Sequence, residues 1–218
     1  VPVGQSRMAD HRILAEGRVA LVTGAASGIG RACCRVFAGQ GMSVCLADLP
    51  GPGLEAAAAE VAGLARPGSE VAAIAADVGV PEQVEALHGA ATERFGRIHL
   101  LMNNAVTREG PGFEAGLDAW RHAIEVNFWG VVTAVRAFLP GMQAAGEGGT
   151  IVNVGSKQGI TNPPGHPIYN IAKSALKTYT EALEHELRSD PANTGARRVS
   201  AHLLIPGWTT TAGREHKQ

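Results

Sequence analysis

Cysteine is scarce in this 218-residue sequence, and the few cysteines are arranged neither as pairs nor as metal ligands. There are three, Cys33, Cys34 and Cys45, an odd number with no C-x-x-C spacing, which argues against a disulfide framework and a zinc site. The eight histidines show no metal-ligand spacing either. We therefore expect no bound metal, and cysteines that serve as small buried side chains in a reducing compartment.

The sequence also lacks an excess of charge and a long apolar run. The formal net charge is −1 and no cluster of lysines or arginines occurs, which argues against a nucleic-acid partner. No stretch reaches membrane-spanning length, and the N-terminus has no basic region followed by an apolar core. We expect a cytoplasmic protein with no membrane contact.

The composition of the sequence, 45% apolar and 18% charged, is typical of a globular protein, and its length fits one domain. Short apolar runs alternate with longer helical stretches. Strands are predicted at 18–23, 43–48, 71–76, 98–102, 150–154 and 199–205, and helices at 30–40, 54–64, 81–95, 117–145 and 168–188. Strands apolar on both faces and separated by helices indicate an α/β fold with a doubly wound parallel sheet. We assign residues 17–218 to this domain and residues 1–16 to an N-terminal arm, and expect Pro140 to kink or end the fourth helix.

A glycine-rich turn joins the first predicted strand to the first predicted helix. The segment from Thr23 to Gly30 reads Thr-Gly-Ala-Ala-Ser-Gly-Ile-Gly, with glycines at 24, 28 and 30. Glycines let the backbone lie against a pyrophosphate, and the start of the following helix offers unpaired N–H groups to that anion. The same turn can also be a plain connector, so alone it is weak support for a nucleotide site.

An acidic residue ends the second predicted strand. Asp48 lies eighteen residues after Gly30, where a carboxylate can accept hydrogen bonds from both ribose hydroxyls of an adenosine and repel a 2′-phosphate. Ser27, which precedes Gly28, and Leu49, which follows Asp48, supply no cation for such a phosphate. The pattern favours NAD over NADP, with a loop acid that binds nothing as the alternative interpretation.

Four polar residues in the second half suggest acid–base chemistry. Tyr169 and Lys173 stand four apart near the start of a predicted helix and so share one face. A cation held close to a phenol favours the phenolate, which makes the pair a usable acid and base. The Y-x-x-x-K pattern alone is usually a solvated helix face. Ser156, at the end of the fifth strand, and Asn127, inside the fourth helix, make the catalytic interpretation stronger.

These motifs resemble the short-chain dehydrogenase/reductase family, in its Gly-x-x-x-Gly-x-Gly turn and its Asn-Ser-Tyr-Lys set, over roughly residues 17 to 211. The resemblance implies a Rossmann-type fold and an NAD-dependent oxidoreductase. Tyr169 would exchange a proton with the substrate oxygen, and Ser156 would donate a hydrogen bond to that oxygen. Lys173 would hold the nicotinamide ribose, and Asn127 would anchor a water that links Lys173 to solvent.

The resemblance also implies cofactor contacts along the whole chain. Asp77-Val78 fits the acid near the adenine, Asn103-Asn-Ala105 fits a turn that packs under the cofactor, and Pro206-Gly207 fits a turn beside the nicotinamide, with Thr209 or Thr211 as amide partners. The full implied set is Gly24, Ser27, Gly28, Ile29, Gly30, Asp48, Leu49, Asp77, Val78, Asn104, Ala105, Tyr169, Lys173, Pro206, Gly207 and Thr209.

The sequence departs from the family pattern at two places. Val106 follows the Asn-Asn-Ala turn where the family usually has glycine, which narrows that wall of the pocket. The family also carries several tens of residues after the Pro-Gly turn, including a seventh strand and a segment that covers the substrate. We expect either a further tail or cover from another subunit. The expected walls of the substrate pocket are Val106, Thr107, Arg108, Lys157, Gln158, His166 and Trp208.

The preferred substrate is a small alcohol or ketone, and two other functions remain open. One is a dinucleotide-binding sensor or scaffold that has lost turnover. The other is a nucleotide-sugar epimerase or dehydratase, which fits poorly because that branch has a different glycine spacing and a larger substrate region. The outer faces of the helices around Asn127 and Tyr169 fit the family's four-helix contact, so we expect a homodimer or homotetramer.

Overall fold

The protein is described by a computed structural model that covers residues 13–108, 112–207 and 209. Within those ranges the strands are Val19–Thr23 (β1), Ser43–Asp48 (β2), Val71–Ala75 (β3), Leu100–Asn103 (β4), Gly149–Val154 (β5) and Val199–Leu204 (β6). They form one sheet in the order β3-β2-β1-β4-β5-β6, and every neighbouring pair is parallel. The order reverses between β1 and β4, which is where sheets of this kind bind ligands.

Helices connect the strands and cover both faces of the sheet. The α-helices are Gly28–Gly39 (α1), Pro52–Ala62 (α2), Pro81–Phe95 (α3), Leu117–Ile124 (α4), Gly130–Ala145 (α5), Gln158–Thr161 (α6) and Pro167–Ser189 (α7), with a π-helical segment at Glu125–Trp129 and a 3₁₀ turn at Gly195–Arg197. This architecture confirms the predicted doubly wound, Rossmann-type α/β fold.

Alternating residues of the inner strands belong to two separate apolar cores. In β1, Leu21 belongs to the core under α3, α5 and α7, whereas Ala20 and Val22 belong to the core under α1 and α2. All five residues of β1 are buried. A strand buried on both faces cannot show the apolar–polar alternation of a half-exposed strand, which explains the continuous apolar runs in the sequence.

Several predicted element bounds need correction. The second strand and the third helix lie where they were predicted, but β4 occupies Leu100–Asn103 rather than 98–102. Its ladder with β1 begins at Leu100, and its ladder with β5 extends to Asn103, so hydrogen bonding shifts the strand by two residues at its start. The short helix α6 and the 3₁₀ turn were not predicted, because segments of three or four residues carry no periodic signal.

The predicted fourth helix is interrupted at a different place from the one expected. Its irregularity is the π-helical segment Glu125–Trp129, which contains Asn127, and α5 continues through Pro140 to Ala145. Pro140 and Arg136 are both exposed, so water can satisfy the Arg136 carbonyl that loses its partner at the proline. Of the two outcomes expected at Pro140, a kink or an end of the helix, the end was therefore wrong.

The amino-terminal edge of the sheet is closed by a cluster of charged groups around a buried histidine. His99, immediately before β4, accepts a hydrogen bond from the Val19 N–H at Nδ1 (3.0 Å), and its Nε2 lies 3.1 Å from Glu147. Glu147 also pairs with Arg18 at 2.9 Å and with Arg97. Burial, followed by the two arginine charges, lowers the pKa of His99 to about 4.

The cysteines and the other candidate metal ligands are dispersed through the fold. Cys34 and Cys45 are buried and Cys33 is half-buried, all as free thiols, and burial raises the pKa of Cys45 to about 12. Among the described residues, no three His, Cys, Asp or Glu side chains come together as a potential metal site. Within the same part of the chain, no helix combines the length and apolar character needed to span a membrane.

Candidate active site

A cleft of about 560 Å³ lies along the carboxyl-terminal edge of the sheet. The segments that follow all six strands contribute to it, together with α4, α7 and the π-helical segment. Its lining contains every residue predicted to be catalytic or to contact the cofactor, except Gly30 and Asn127. The lining residues are Gly24, Ser27, Gly28, Ile29, Asp48, Leu49, Ala76, Asp77, Val78, Asn104, Ala105, Val106, Thr107, Arg108, His122, Val126, Val154, Gly155, Ser156, Tyr169, Lys173, Pro206, Gly207 and Thr209.

The glycine turn needs its glycines for two different reasons. Gly24 has φ +65° and Gly28 has φ +53°, a region that side chains other than glycine rarely adopt. Gly30 lies outside the cleft lining. A Cβ at Gly30 would collide with the Gly24 carbonyl oxygen and lie 2.6 Å from the Asn104 amide nitrogen. Gly30 therefore allows α1 to pack closely against the turn, and Gly24 and Gly28 shape the cleft wall.

The start of α1 faces the cleft with free hydrogen-bond donors. Ser27 is the N-cap residue, and its side chain makes no capping hydrogen bond. The first turn of α1 contains no acidic residue. The unpaired N–H groups and the positive end of the helix dipole therefore remain available to an anion.

Asp48 supports the glycine turn from the end of β2. Its Oδ2 accepts a hydrogen bond from the Ala26 N–H and its Oδ1 accepts one from the Leu49 N–H, both at 2.8 Å. Each carboxylate oxygen keeps a further acceptor position. Asp77, two residues after β3, is held similarly, because its Oδ1 accepts a hydrogen bond from the Gly79 N–H at 2.8 Å.

The turn after β4 is bound tightly to the glycine turn. The Asn104 amide donates to the Thr23 and Gly24 carbonyl oxygens, each at 3.0 Å. The Thr23 hydroxyl oxygen accepts the N–H groups of Asn104 and Ala105 at 3.0 and 3.1 Å. These contacts join the ends of β1 and β4 at the point where the strand order reverses, and they make the floor of the cleft rigid.

Lys173 is a buried amine beside the phenol of Tyr169. Lys173 is 4% exposed, and its Nζ donates to the Val154 carbonyl oxygen at 2.8 Å. The same Nζ lies 5.8 Å from the centroid of the Tyr169 ring. Burial, followed by the charge of Arg108, lowers the pKa of Lys173 to about 8. One bond to Val154 leaves two of its three donors for a ligand.

Ser156 is oriented by the turn that leads into α6. Its Oγ accepts a hydrogen bond from the Gln158 N–H at 3.2 Å. The hydroxyl proton is then free to point toward the cleft, which Ser156 and the half-buried Tyr169 both line. The arrangement places a phenol, a hydroxyl donor and an ammonium at one end of the cleft.

Two structural features hold α7, and with it Tyr169 and Lys173, against the sheet. A buried chain of hydrogen bonds runs from the Asn103 amide to Asn153 (2.8 Å) and from the Asn153 amide to the Thr180 hydroxyl (3.0 Å). A Cβ at Gly159 of α6 would lie 2.6 Å from the backbone carbonyl carbon of Lys173. The close packing of α6 on α7 thus depends on this glycine.

Asn127 is buried, but it does not line the cleft. Its side-chain oxygen accepts the Thr107 N–H at 3.2 Å, and its amide donates to the Thr107 carbonyl oxygen at 2.9 Å. Asn127 therefore fixes the backbone of a cleft-wall residue. The predicted water between Asn127 and Lys173 stays a prediction.

Of the expected substrate-pocket residues, Val106, Thr107 and Arg108 lie in the cleft lining, whereas Lys157, Gln158 and His166 do not. Trp208 and Thr211 lie outside the described residues. Five further lining residues were not predicted from the sequence: Ala76, His122, Val126, Val154 and Gly155. Ala76, Val154 and Gly155 adjoin strand ends, a signal that could have found them, but His122 and Val126 carry none.

Comparisons with known proteins agree with this geometry. A sequence model of the family described as short chain dehydrogenase matches residues 18–218. An oxidoreductase named SadH from Mycobacterium tuberculosis is 38% identical over 174 residues, which are 79% of this chain and 61% of that protein. A 1-deoxy-11-beta-hydroxypentalenate dehydrogenase from Streptomyces exfoliatus is 36% identical, over 89% of this chain and 68% of that protein. The chain thus spans less than two thirds of the length of the first of these relatives.

Solved structures give the same result. A short chain dehydrogenase/reductase from Burkholderia phymatum in complex with NAD is 37% identical with a TM-score of 0.81, covering 93% of this chain and 71% of that one. L-Sorbose reductase from Gluconobacter frateurii, complexed with NADPH and L-sorbose, is 29% identical with a TM-score of 0.83, covering 93% and 73%. The chain belongs to the short chain dehydrogenase family, as its sequence motifs predicted.

Proposed function

We propose that this protein is an NAD-dependent oxidoreductase that transfers a hydride between nicotinamide and the alcohol or carbonyl carbon of a small molecule. The observation that carries the proposal is the cluster at one end of the cleft. Tyr169, with the Lys173 ammonium 5.8 Å from its ring centroid, lines the same cleft as Ser156 and the glycine turn. An acid–base group and a dinucleotide cradle therefore share one space.

The residues present fit a dinucleotide. A Cβ at Gly24 would lie 2.7 Å from the Ala105 Cα, so the turn has room for backbone only, and the adjoining N-terminus of α1 offers unpaired donors to a pyrophosphate. The free acceptor positions of Asp48 suit the two ribose hydroxyls and oppose a 2′-phosphate. The Lys173 ammonium suits the hydroxyls of the second ribose, and Pro206, Gly207 and Thr209 line the wall at that end.

The bound nicotinamide supplies or accepts the hydride, and the protein supplies the proton and the electrostatics. During reduction, Tyr169 donates its phenolic proton to the substrate oxygen, and during oxidation it takes that proton back. The Ser156 hydroxyl donates to the same oxygen and stabilises its developing negative charge. Lys173 holds positive charge beside the phenol, which favours the deprotonated form after the transfer.

A steady-state assay tests this function. The purified protein is incubated with NADH or NAD, and with their phosphorylated counterparts, against a panel of ketones and secondary alcohols, and nicotinamide absorbance is followed. We expect substrate-dependent turnover. Binding of NADH without turnover of any carbonyl or alcohol would support the silent sensor or scaffold instead.

The preference for NAD rests on Asp48 and has its own test. Asp48→Asn keeps an oxygen for the Ala26 N–H but removes the charge that opposes a 2′-phosphate. We expect the ratio of kcat/KM for NAD over NADP to fall by about tenfold or more, since repulsion of this kind amounts to one or a few kcal/mol. Asp118→Asn is the matched control, because its side chain is 98% exposed on α4 and outside the cleft. An unchanged ratio in Asp48→Asn would remove Asp48 from cofactor selection.

We also propose that the protein acts as a homodimer or homotetramer. Trp129 and Ile171, on the π-helical segment and α7, are 48% and 49% exposed despite their apolar side chains. Exposed apolar groups on neighbouring helices favour self-association. Light scattering measures the assembly directly, and a monomer at assay concentrations would reject this part of the proposal.

A further inference from the structure

Charge is divided unequally along the cleft. Asp48 ends β2 and Asp77 follows β3, on one side of the sheet, and each already accepts at least one backbone N–H. The other side holds the cations Arg108 and Lys173, and among the described lining residues no carboxylate lies there. Among the described lining residues, the charged side chains at the end of the cleft that carries Tyr169 are therefore cations.

Arg108 stands beside the reacting phenol. Its guanidinium carbon lies 5.8 Å from the Tyr169 ring centroid, the same distance as the Lys173 Nζ. Arg108 is exposed in the cleft wall, and the part of the chain that the structure describes offers its guanidinium no carboxylate within 4.0 Å. By contrast, Arg94 and Arg188, at the protein surface, each pair with a glutamate.

Two cations next to one phenol repel each other. The charge of Arg108 is one of the causes that lower the pKa of Lys173. An anion bound at Arg108 would offset this repulsion and help to keep Lys173 protonated. A guanidinium also presents paired N–H donors whose spacing matches the two oxygens of a carboxylate.

We propose that Arg108 binds an acidic group of the substrate, so that this site acts on a short oxo acid and the corresponding hydroxy acid. The inference rests on the proposed function and names its substrate class. With the substrate oxygen at Tyr169, the carboxylate is one to a few bonds from the reacting carbon. In the reduction that carbon gains a hydride, its oxygen gains the Tyr169 proton, and the carboxylate is unchanged.

The test compares matched pairs of short 2-, 3- and 4-oxo acids with their uncharged primary amides. For each pair, kcat/KM is measured with NADH in the wild type, Arg108→Gln and Arg108→Lys. We expect at least one acid to exceed its amide by about tenfold to a hundredfold in the wild type, the range for a charge-assisted hydrogen bond. This ratio falls to about one in Arg108→Gln, mainly through KM of the acid, and Arg108→Lys keeps part of it.

Arg66→Gln is the matched control, because it removes one exposed arginine from the loop before β3 and outside the cleft lining. Its acid-to-amide ratio equals that of the wild type. A wild-type ratio near one, a ratio unchanged in Arg108→Gln, or an equal loss for acids and amides in Arg108→Gln would each overturn the inference. Turnover of neutral ketones alone rejects the inference and leaves the oxidoreductase function standing, whereas no turnover of any carbonyl rejects both.

Discussion

A buried base lies at each of the two edges of the sheet where the strands begin and end. The two bases differ in the hydrogen-bonding capacity that they keep for a ligand. At the carboxyl-terminal edge Lys173 has a pKa lowered to about 8, and at the amino-terminal edge His99 has a pKa lowered to about 4. Both residues are 4% exposed. Lys173 donates one hydrogen bond, to the Val154 carbonyl, and lines a cleft. Both ring nitrogens of His99 instead make hydrogen-bond contacts, one with the Val19 N–H and one with Glu147.

A shifted pKa alone therefore does not mark a functional group. Burial shifts any ionisable side chain, including a histidine that only ties β1, β4 and the segment before β5 together. Function requires that the buried group face a space that a ligand can enter and keep hydrogen-bonding capacity for that ligand. Lys173 meets both conditions at the edge where parallel sheets bind ligands, and His99 meets neither.

The largest effect that separates the two bases is on turnover. In Lys173→Met we expect kcat to fall by about 10²-fold to 10⁴-fold, because the phenol loses the charge that supports its proton transfer. The His99→Gln variant, measured beside it at neutral pH, keeps kcat within about twofold of the wild type. Equal losses in the two variants would break the distinction between the two edges.

The same substitution at Lys173 has the opposite effect on stability. The folded-state pKa of Lys173, about 8, lies below the ordinary 10.5, so the unfolded state binds the proton more tightly and wild-type stability falls as pH drops from 10.5 to 8. The Lys173→Met variant does not bury a charged amine, but it leaves the Val154 carbonyl without its hydrogen bond. We expect the free energy of unfolding to rise by a net amount of about 1 kcal/mol at pH 7, which raises Tm by about 2–4 °C. Thermal unfolding of both proteins at pH 7 and near pH 10.5 measures this difference in Tm. The gain disappears at the higher pH, and a lower Tm at pH 7 would mean that the Val154 bond outweighs the burial cost.

Ser156 provides a further test at the carboxyl-terminal edge of the sheet. Ser156→Ala removes one donor to the substrate oxygen, and we expect kcat to fall by about 10²-fold with little change in KM for NADH. The expected Tm matches that of the wild type, because Ser156 is only half-buried and its hydroxyl makes one hydrogen bond to the described part of the chain, from the Gln158 N–H. A loss of NADH binding instead of kcat would assign Ser156 to the cofactor and not to the substrate.

The substitution of His99 has an expected effect on stability that appears only in acid. Its folded-state pKa, about 4, lies below the ordinary 6.5, so wild-type stability falls as pH drops from 6.5 to 4, by at most about 3 kcal/mol. In His99→Gln this part of the acid sensitivity is absent, as urea unfolding at pH 7 and pH 4.5 would show. His202→Gln, on the exposed side of β6, is the control and keeps the wild-type pH dependence. Equal pH dependence in wild type and His99→Gln would contradict the buried neutral histidine.

Much of the fold could be predicted from the sequence because strand periodicity, glycines and strand-end polar residues are local signals. They predicted the doubly wound sheet and placed the Tyr169, Lys173 and Ser156 side chains on segments that the structure brings together. What the sequence could not predict depends on contacts between distant segments. Examples are the close approach of Gly159 to Lys173 and the position of Arg108 beside the Tyr169 ring.

In the function proposed above, Tyr169 exchanges the proton of the substrate oxygen while the rest of the cleft holds the dinucleotide. The most direct test measures Tyr169→Phe twice, by titration of NADH binding and by kcat with the best ketone of the panel. We expect a dissociation constant for NADH within about threefold of the wild type and a kcat lower by about 10²-fold or more. Retained turnover in Tyr169→Phe, with NADH bound normally, would contradict this role of Tyr169.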